Sequence, residues 1–572
     1  MLLMVLVFAG SAQPSKPSTS QEAEIVETTV SSSATQTVMA LSQRTPRKRK
    51  LHEQIHELTR ENKLLKHDIA AIQVQQETVS ETQQLENLCD KLLPTQLAMF
   101  VKTQLKLINR TSQGRRYSNA FKKFSLSLFF LGPKCYKQLQ RTFSLPSPRS
   151  LQRFVHKIDF VPGINDTLFQ ILKLKTSNMR EEDKMCVLCI DELAIKANLF
   201  YNYGRDTVRG VEDDGISRSL TPASTAAVIM ARGLKSNWKQ PLGYVFTSTT
   251  YSAVKTKDLL EKFIIALDSV DLNTIALVTD MGSNFMELSK LLGVTKEKPV
   301  FTLGNKEIFY VFDPPHLVKA VRNNMLLNSF CWDDKKTCWQ YIVDFYNRDK
   351  NLTNRCAPRL TNAHIAPGKF EKMRVKYATQ VLSATVAGSL HTYIELKGLP
   401  EDATGTMEFV AFFDKLFDIF NSSKLYPCKQ YAKPFSGQPF QIEFLQNALE
   451  FLQKLKVINA RGRDITNLIK CLACWCTSIN ALLHIWAKLK EQNFAFIFTR
   501  RLNQDALENF FGTVRQQSGN AVNPTPVQFA RAFKKIFIIN YLHSEQMNCM
   551  EDFDQLLLNL SEFREVSVAS LE

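Results

Sequence analysis

Two short apolar runs, each closing on a carboxylate, constrain this chain more than any other feature. Met185-Cys-Val-Leu-Cys-Ile190 runs into Asp191-Glu192, and Thr274-Ile-Ala-Leu-Val-Thr279 runs into Asp280-Met-Gly-Ser-Asn284. Runs of this length read as buried strands, and a strand ending in an acid delivers it to the sheet edge, where α/β folds bind ligands. Glu508 sits in a different pattern, with Leu507, Phe510, Phe511 and Val514 marking one helical face. Two strand-borne Asp and one helix-borne Glu supply the oxygen donors that paired Mg²⁺ ions use in in-line phosphoryl displacement. From spacing alone, three unrelated acids at element ends account for the pattern equally well.

A chain of 572 residues with 44% hydrophobic content holds several domains with real cores. Its formal charge of +17 favours a polyanionic partner, a property shared with ribosomal, membrane-surface and heparin-binding proteins. Twelve scattered Cys suit a reduced intracellular protein. Cys186 and Cys189 fall on a strand, and Cys471, Cys474 and Cys476 in an apolar helical stretch, so all five read as core residues and not zinc ligands. The apolar opening Met1–Ala9 resembles part of a signal peptide but lacks a basic start and is too short to span a bilayer. It reads as an unusual first exon or gene-model artefact before it reads as a secretion signal.

Residues 1–43 are rich in Ser, Thr, Gln and Pro after that opening and are expected to be disordered. Residues 44–80 hold the basic cluster Arg44–Lys50 and then a heptad pattern. Leu51, Leu58, Leu65 and Ile72 take d positions, with Ile55, Asn62 and Ile69 at a. Ile at a with Leu at d favours a parallel dimer, and one Asn at a fixes its register. An amphipathic helix packed on its own core is the alternative. A zipper that reads DNA through its basic run is disfavoured, because Pro46 is expected to interrupt the helix.

Residues 85–160 suggest short helices: one N-capped by Ser118 and ended by Gly132-Pro133, one from about Lys134 to Phe143, and one N-capped by Ser147 with Pro148 first. Arg149, Gln152 and Arg153 near the start of the last suit a recognition helix, while Arg115, Arg116, Lys122 and Lys123 suit phosphates. A solvated basic face on a helical bundle explains the same residues. Residues 165–325 alternate strand-like and helix-like segments, among them Ala226–Met230, Leu242–Phe246 and Leu259–Ser269. Residues 326–500 change to long apolar helices such as Phe409–Phe420 and Ile465–Leu489, separating Asp280 from Glu508. Residues 501–560 carry the Glu508 helix, and 561–572 form a tail. No phosphate-binding Gly-x-x-x-x-Gly-Lys-Ser/Thr loop occurs. Asp313-Pro-Pro-His316 reads as a rigid turn after a strand, with His316 structural ahead of a proton shuttle or metal ligand.

Several longer motifs occur in order. They are Cys189-Ile-Asp-Glu-Leu-Ala-Ile-Lys196, Ala231-Arg-Gly-Leu-Lys235 with Trp238-Lys-Gln-Pro241, Asp280-Met-Gly-Ser-Asn284 and Phe312-Asp-Pro-Pro-His-Leu-Val-Lys319. Arg501-Leu-Asn-Gln-Asp-Ala-Leu-Glu-Asn-Phe-Phe511, Arg515–Asn520 and Asn523-Pro-Thr-Pro526 follow. Over roughly residues 90–550 the chain resembles the P-element transposase family, which includes the THAP-type transposases.

The resemblance implies a mixed α and α/β multidomain protein. Its helix-turn-helix domain would be 85–160, with an RNase H-like catalytic core in two parts, 165–325 and 501–560, split by a helical GTP-binding insertion at 326–500. Asp191, Asp280 and Glu508 match the family's acid triad, which binds two Mg²⁺ ions. GTP is implied as a cofactor of DNA-complex assembly that is not hydrolysed, with Asp418 and Asn421 as its acid and amide, Asp505 as a further acid and Val375 as an apolar base contact. Arg359 stands where a Lys is expected; it keeps phosphate charge with different geometry. From the residues alone, Asp418 and Asn421 are ordinary surface positions on a helix.

The zinc-coordinating THAP module of many relatives is not found before the heptads, and the chain stops soon after the Glu508 helix. The expectation is a nuclear DNA transposase, domesticated or truncated, that acts on double-stranded transposon ends and target DNA as a homodimer or higher oligomer, without membrane contact. A catalytically inactive DNA-binding or chromatin protein descended from a transposase is the alternative.

Overall fold

The computed structural model describes residues 45–156, 160–204, 206–249, 251–303, 306–539 and 555–556. The segments expected to be disordered at 1–43 and to form a tail at 561–572, and the apolar opening, lie outside them. The chain divides into two compact units, residues 1–105 and 106–572. No helix among the described residues is long and apolar enough to cross a membrane.

In the first unit, helix α1 (Pro46–Leu92) runs unbroken for 47 residues. Pro46 does not interrupt it. It occupies the first turn, where a missing N–H costs no helical hydrogen bond, so the basic residues Arg47–Lys50 are helical. Leu51, Ile55, Leu58, Leu65 and Ile69 are each more than half exposed, and Asn62 is exposed beside them. The side chain of Ile72 is outside the description. Helix α2 (Thr95–Leu107) follows and reaches the division between the units.

The second unit opens with three short helices, α3 (Asn119–Leu131), α4 (Pro133–Thr142) and α5 (Pro148–His156). The Ser118 hydroxyl accepts from Phe121 N at 3.1 Å, Gly132 ends α3, and the Ser147 hydroxyl accepts from Ser150 N at 3.1 Å. These local bonds satisfy first-turn donors and fix where each helix begins. Phe121, Leu126, Tyr136, Leu151 and Phe154 form their shared core.

The central sheet is built on β1 (Met185–Ala194), β2 (Thr225–Gly233), β3 (Trp238–Thr247), β4 (Asn273–Thr279) and β5 (Lys306–Phe312). Their order is β5-β4-β1-β2-β3. β1, β2 and β3 pair antiparallel, whereas β1, β4 and β5 run parallel. Val300–Leu303 adds an antiparallel edge outside β5, and Val211–Asp213 with Arg218–Pro222 extends the other side. The strands are buried along nearly their whole length, as expected where a sheet is covered on both faces. Gly243 on β3 is needed for close packing: a Cβ there would stand 2.5 Å from the Gly163 carbonyl oxygen.

Asp313-Pro-Pro-His316 is not a free turn. Asp313 N-caps helix α6 (Pro314–Met325), with both prolines in its first turn. Beyond α6 lies a largely helical region that includes α7 (Ala403–Phe420) and α8 (Lys470–Glu491). The expected helix from Ile465 starts later, because Thr466–Leu468 forms a 3₁₀ turn held by the Asp464 carboxylate. Ser478 of α8 accepts from Phe312 N at 3.0 Å and donates to the Phe312 carbonyl, docking the region on the end of β5. Cys186, Cys189, Cys471, Cys474 and Cys476 are all buried. The chain returns to the sheet through α9 (Asp505–Gln517) and α10 (Pro526–Ile539), and α10 packs against α3.

Candidate active site

The parallel ladders stop one or two residues short of a row of acids. The last β1–β4 pair is Cys189↔Val278, and the last β4–β5 pair is Thr279↔Phe312. Continuing those registers puts Asp191 opposite Asp280, and Asp280 opposite Asp313, on three adjacent parallel strands. Asp191 is not the last residue of its strand. On the β2 side the pairing continues through Asp191↔Val228 to Ala194↔Thr225, so only the edge facing β4 is open at the acid.

Each acid in the row is held differently. Asp191 Oδ1 accepts from Glu192 N at 2.7 Å, and Asp280 Oδ1 accepts from Gly282 N at 2.7 Å. Gly282 leaves room for both side chains: a Cβ there would lie 3.0 Å from Asp280 Oδ1 and 2.8 Å from Asn284 Oδ1. Asp313 is buried and accepts from His316 N, from His316 Nδ1 at 2.7 Å and from Gln504 N at 2.8 Å.

Glu508 is delivered by a pinned segment. Gln504 Nε2 donates to the Ile190 carbonyl at 2.7 Å, Arg232 Nη1 to the Arg500 carbonyl at 2.8 Å, and Arg501 Nη1 to the Leu234 carbonyl. These bonds fasten residues 500–504 across β1 and β2, so α9 starts at the acid row and Glu508 stands in its first turn. The Glu508 Oε1 oxygen lies 3.7 Å from His316 Nε2.

Burial, then the neighbouring Asp280, pushes the Asp191 carboxyl up to about 7. Partial desolvation also raises Glu508, opposed by His316. His316 is raised to about 9: burial pulls it down, but the hydrogen bond and charge of Asp313 outweigh that, with Glu508 adding to them. Two acids escaped the sequence reading. Asp313 was hidden inside an apparent turn, and Glu192, which accepts from Asn284 Nδ2 at 3.0 Å, is also raised by burial and lies close to Asp280. A third omission is the half-buried Lys319 on α6, whose ammonium is lowered by burial and raised by Glu508, Asp313, Asp280 and Asp191. Its signal was its place one turn after His316.

The donor set suits a hard divalent cation: carboxylates from three elements, with like charges crowded enough to hold a proton near neutrality. The arrangement is open, however. Among the described residues no three His, Cys, Asp or Glu side chains stand close enough to hold a metal ion.

The expected nucleotide residues are less gathered. Asp418, near the end of α7, pairs with Lys429 at 2.9 Å, and Lys429 also binds Asp414 at 2.8 Å. Asn421 caps α7, and the adjoining Ser422 carbonyl accepts from Arg500 N at 3.2 Å. Arg500 Nε in turn donates to Asp505 at 3.0 Å, so Asp505 and the Asn421 end of α7 share one neighbourhood. Val375 begins a short helix that packs on α6, and Arg359 is exposed on a separate loop. Arg322 of α6 is fully buried and donates to the carbonyls of Glu371 and Lys372 at 3.3 and 3.2 Å, fixing the segment that leads to Val375.

On the three-helix face, α5 exposes Arg149, Gln152 and Arg153 while burying Leu151 and Phe154. Arg115 and Arg116 donate to carbonyls of their own loop at Arg110 and Gln113. Lys122 lies over the Phe154 ring at 5.8 Å, and Lys123 is half-buried. The basic groups on α5 are therefore the better presented.

Comparison with known proteins agrees with this architecture. Family models match in order: a transposable element P transposase-like helix-turn-helix domain at residues 73–154, and a TNP-like RNase H N-terminal domain at 160–293. A TNP-like GTP-binding insertion domain at 315–434 and a TNP-like RNase H C-terminal domain at 501–534 follow. The chain belongs to the P-element transposase family, and combines a split RNase H-like fold with a GTP-binding insertion domain.

The Transposable element P transposase of Drosophila melanogaster is 28% identical over 495 residues, 84% of this chain and 61% of that protein. The DNA transposase THAP9 of Homo sapiens is 26% identical over 443 residues, 73% of this chain and 48% of the relative. The chain thus spans about half to three fifths of these relatives' lengths. A solved Drosophila P element transposase strand transfer complex aligns with a TM-score of 0.68 at 26% identity, covering 81% of this chain and 99% of that one.

Proposed function

We propose that this chain is a P-element-like DNA transposase that cleaves and joins DNA strands at the acid row, with Asp191, Asp280 and Glu508 holding two Mg²⁺ ions. The observation that carries this reading is the parallel register of β1 and β4, whose continuation sets Asp191 opposite Asp280, with Gln504 at the start of the Glu508 helix bonded to the Ile190 carbonyl. Bound there, Mg²⁺ would supply activation of the attacking oxygen and charge stabilisation at the leaving oxygen. The chain's own work is positional. Gly282 and Glu192 backbone N–H groups orient the two aspartates, and Gln504 sets the start of the Glu508 helix.

GTP serves as an assembly cofactor without turnover, held by Asp418, Asn421 and Asp505, with Val375 against the base and Arg359 on phosphate. Arg149, Gln152 and Arg153 contact double-stranded DNA, and Arg115, Arg116, Lys122 and Lys123 add phosphate attraction. The apolar seam of α1 pairs two copies, and the protein works in the nucleus. The test is strand cleavage with Mg²⁺ on DNA carrying the terminal repeats that flank the gene.

A second reading, a DNA-binding protein that retains the fold without catalysis, rests on the exposed Arg149, Gln152 and Arg153 of α5, whose contacts need no metal. Specific binding to those repeats with no cleavage at any Mg²⁺ concentration would select it.

A further inference from the structure

Lys319 occupies a position that the acid triad does not explain. Helix α6 buries Leu317, Val318 and Val321, which leaves His316 and Lys319, one turn apart, on the face towards the acids. His316 on that face is 3.7 Å from Glu508. The Lys319 ammonium stands in the field of Glu508, Asp313, Asp280 and Asp191 together. It nevertheless forms no ion pair or hydrogen bond among the described residues. A lysine whose task is to neutralise acids closes on them, as Lys429 does on Asp414 and Asp418 at 2.8 and 2.9 Å. Lys319 has the same flexible stem and more acids around it, yet its three N–H donors stay uncommitted.

We propose that Lys319 is a further catalytic residue, whose ammonium binds a non-bridging oxygen of the DNA phosphodiester that is cut. The inference rests on the cleavage reading above and extends it. In the hydrolytic step, the water oxygen bonds to phosphorus as the phosphorus–O3′ bond breaks. Water gives up one proton and the departing 3′-oxygen takes one, leaving a 5′-phosphate and a 3′-hydroxyl. Lys319 transfers no proton in this step. It holds the negative charge that gathers on the non-bridging oxygens, a role suited to a compact, mobile point charge.

Two measurements on the full chain test this with Lys319→Gln and Lys319→Arg. The first is binding, read with Ca²⁺ in place of Mg²⁺, to repeat–flank duplexes in which one neutral methylphosphonate is stepped along the junction. The parent should show one position where neutralisation weakens binding by roughly tenfold. Lys319→Gln should lose that discrimination while binding the distal repeat as before, and Lys319→Arg should keep part of it. The second is single-turnover cleavage across a Mg²⁺ titration. Lys319→Gln should fall on the order of 10²-fold at saturating Mg²⁺, without needing more Mg²⁺ for half-saturation.

Discrimination in Lys319→Gln equal to the parent's overturns the inference, as does cleavage at the parent's rate. A lysine that only balanced the carboxylates would leave discrimination and saturated rate unchanged and shift the Mg²⁺ requirement alone. Should the parent not cleave at all, the cleavage reading fails, and the binding series still decides whether Lys319 meets a phosphate.

Discussion

Carried two positions beyond its last pair, Cys189↔Val278, the parallel register of β1 and β4 sets Asp191 opposite Asp280. Adjacent strands are only about 4.8 Å apart, so two carboxylates in register cannot both ionise cheaply without a cation between them. The Asp191 carboxyl, pushed up to about 7 by burial and Asp280, records that conflict. An unfolded Asp titrates near ~3.9. The folded state therefore holds an extra proton between about pH 4 and 7, and the stability it confers is full below that window and lost as pH rises through it. Metal-free Asp191→Asn should melt higher than the parent at pH 8, by on the order of 1 kcal/mol, and no higher at pH 4. Mg²⁺ should raise the melting temperature of the parent at pH 8 more than that of Asp191→Asn. Equal differences at both pH values would remove the like-charge pair from the account.

Gly282→Ala tests how finely Asp280 is set. The added methyl would meet Asp280 Oδ1 at 3.0 Å and Asn284 Oδ1 at 2.8 Å, so the Asn284 amide must give way and the Asp280 carboxylate is crowded. A displacement approaching 1 Å at a reacting group can cost about 10²-fold in rate. Cleavage by Gly282→Ala should fall by roughly ten- to a hundredfold with DNA affinity unchanged, measured under single-turnover conditions. Parent-like cleavage would show that Asp280 is not held by this loop.

Much of this was legible locally. The apolar runs before Asp191 and Asp280 are β1 and β4, and the apolar stripe around Glu508 is a helix with Leu507, Phe510, Phe511 and Val514 buried. Ser118 and Ser147 announced their caps because capping is a contact between near neighbours. What escaped depended on distant partners. Nothing beside Gln504 reveals that it binds the Ile190 carbonyl 314 positions away, and nothing beside Asp313 reveals that its carboxylate receives Gln504. Pro46 was misjudged because the same residue that breaks a helix interior is welcome in its first turn. The partners of Asp418 are equally non-local: Lys429 arrives from the loop beyond α7.

The exposed seam of α1 predicts self-association. Leu51, Ile55, Leu58, Leu65 and Ile69 remain more than half exposed in the single chain, and Asn62 among them would set a parallel register. A peptide spanning residues 46–92 should sediment as a dimer at tens of micromolar, roughly the range in which short zippers assemble. Asn62→Leu should tighten association and lose its preference for two strands. A monomer at that concentration would sink the pairing.

Nucleotide binding offers a separate check. Titration calorimetry on the full chain should give heat with GTP and much less with ATP, and Asp418→Ala should weaken GTP binding by about tenfold. Because Asp418 is engaged by Lys429, Lys429→Ala should also change the affinity. Equal affinity for the two nucleotides, or no heat with either, would leave the insertion as a scaffold only.

The most direct measurement compares the parent with Glu508→Gln on duplexes carrying the flanking terminal repeats, with Mg²⁺ and with EDTA. Glutamine keeps the size of the side chain and removes the charge that a hard cation requires. The account predicts Mg²⁺-dependent cleavage by the parent, loss of at least about 10³-fold in Glu508→Gln, and unchanged DNA affinity. Cleavage by Glu508→Gln at the parent's rate would contradict the assignment of the acid row as the catalytic centre.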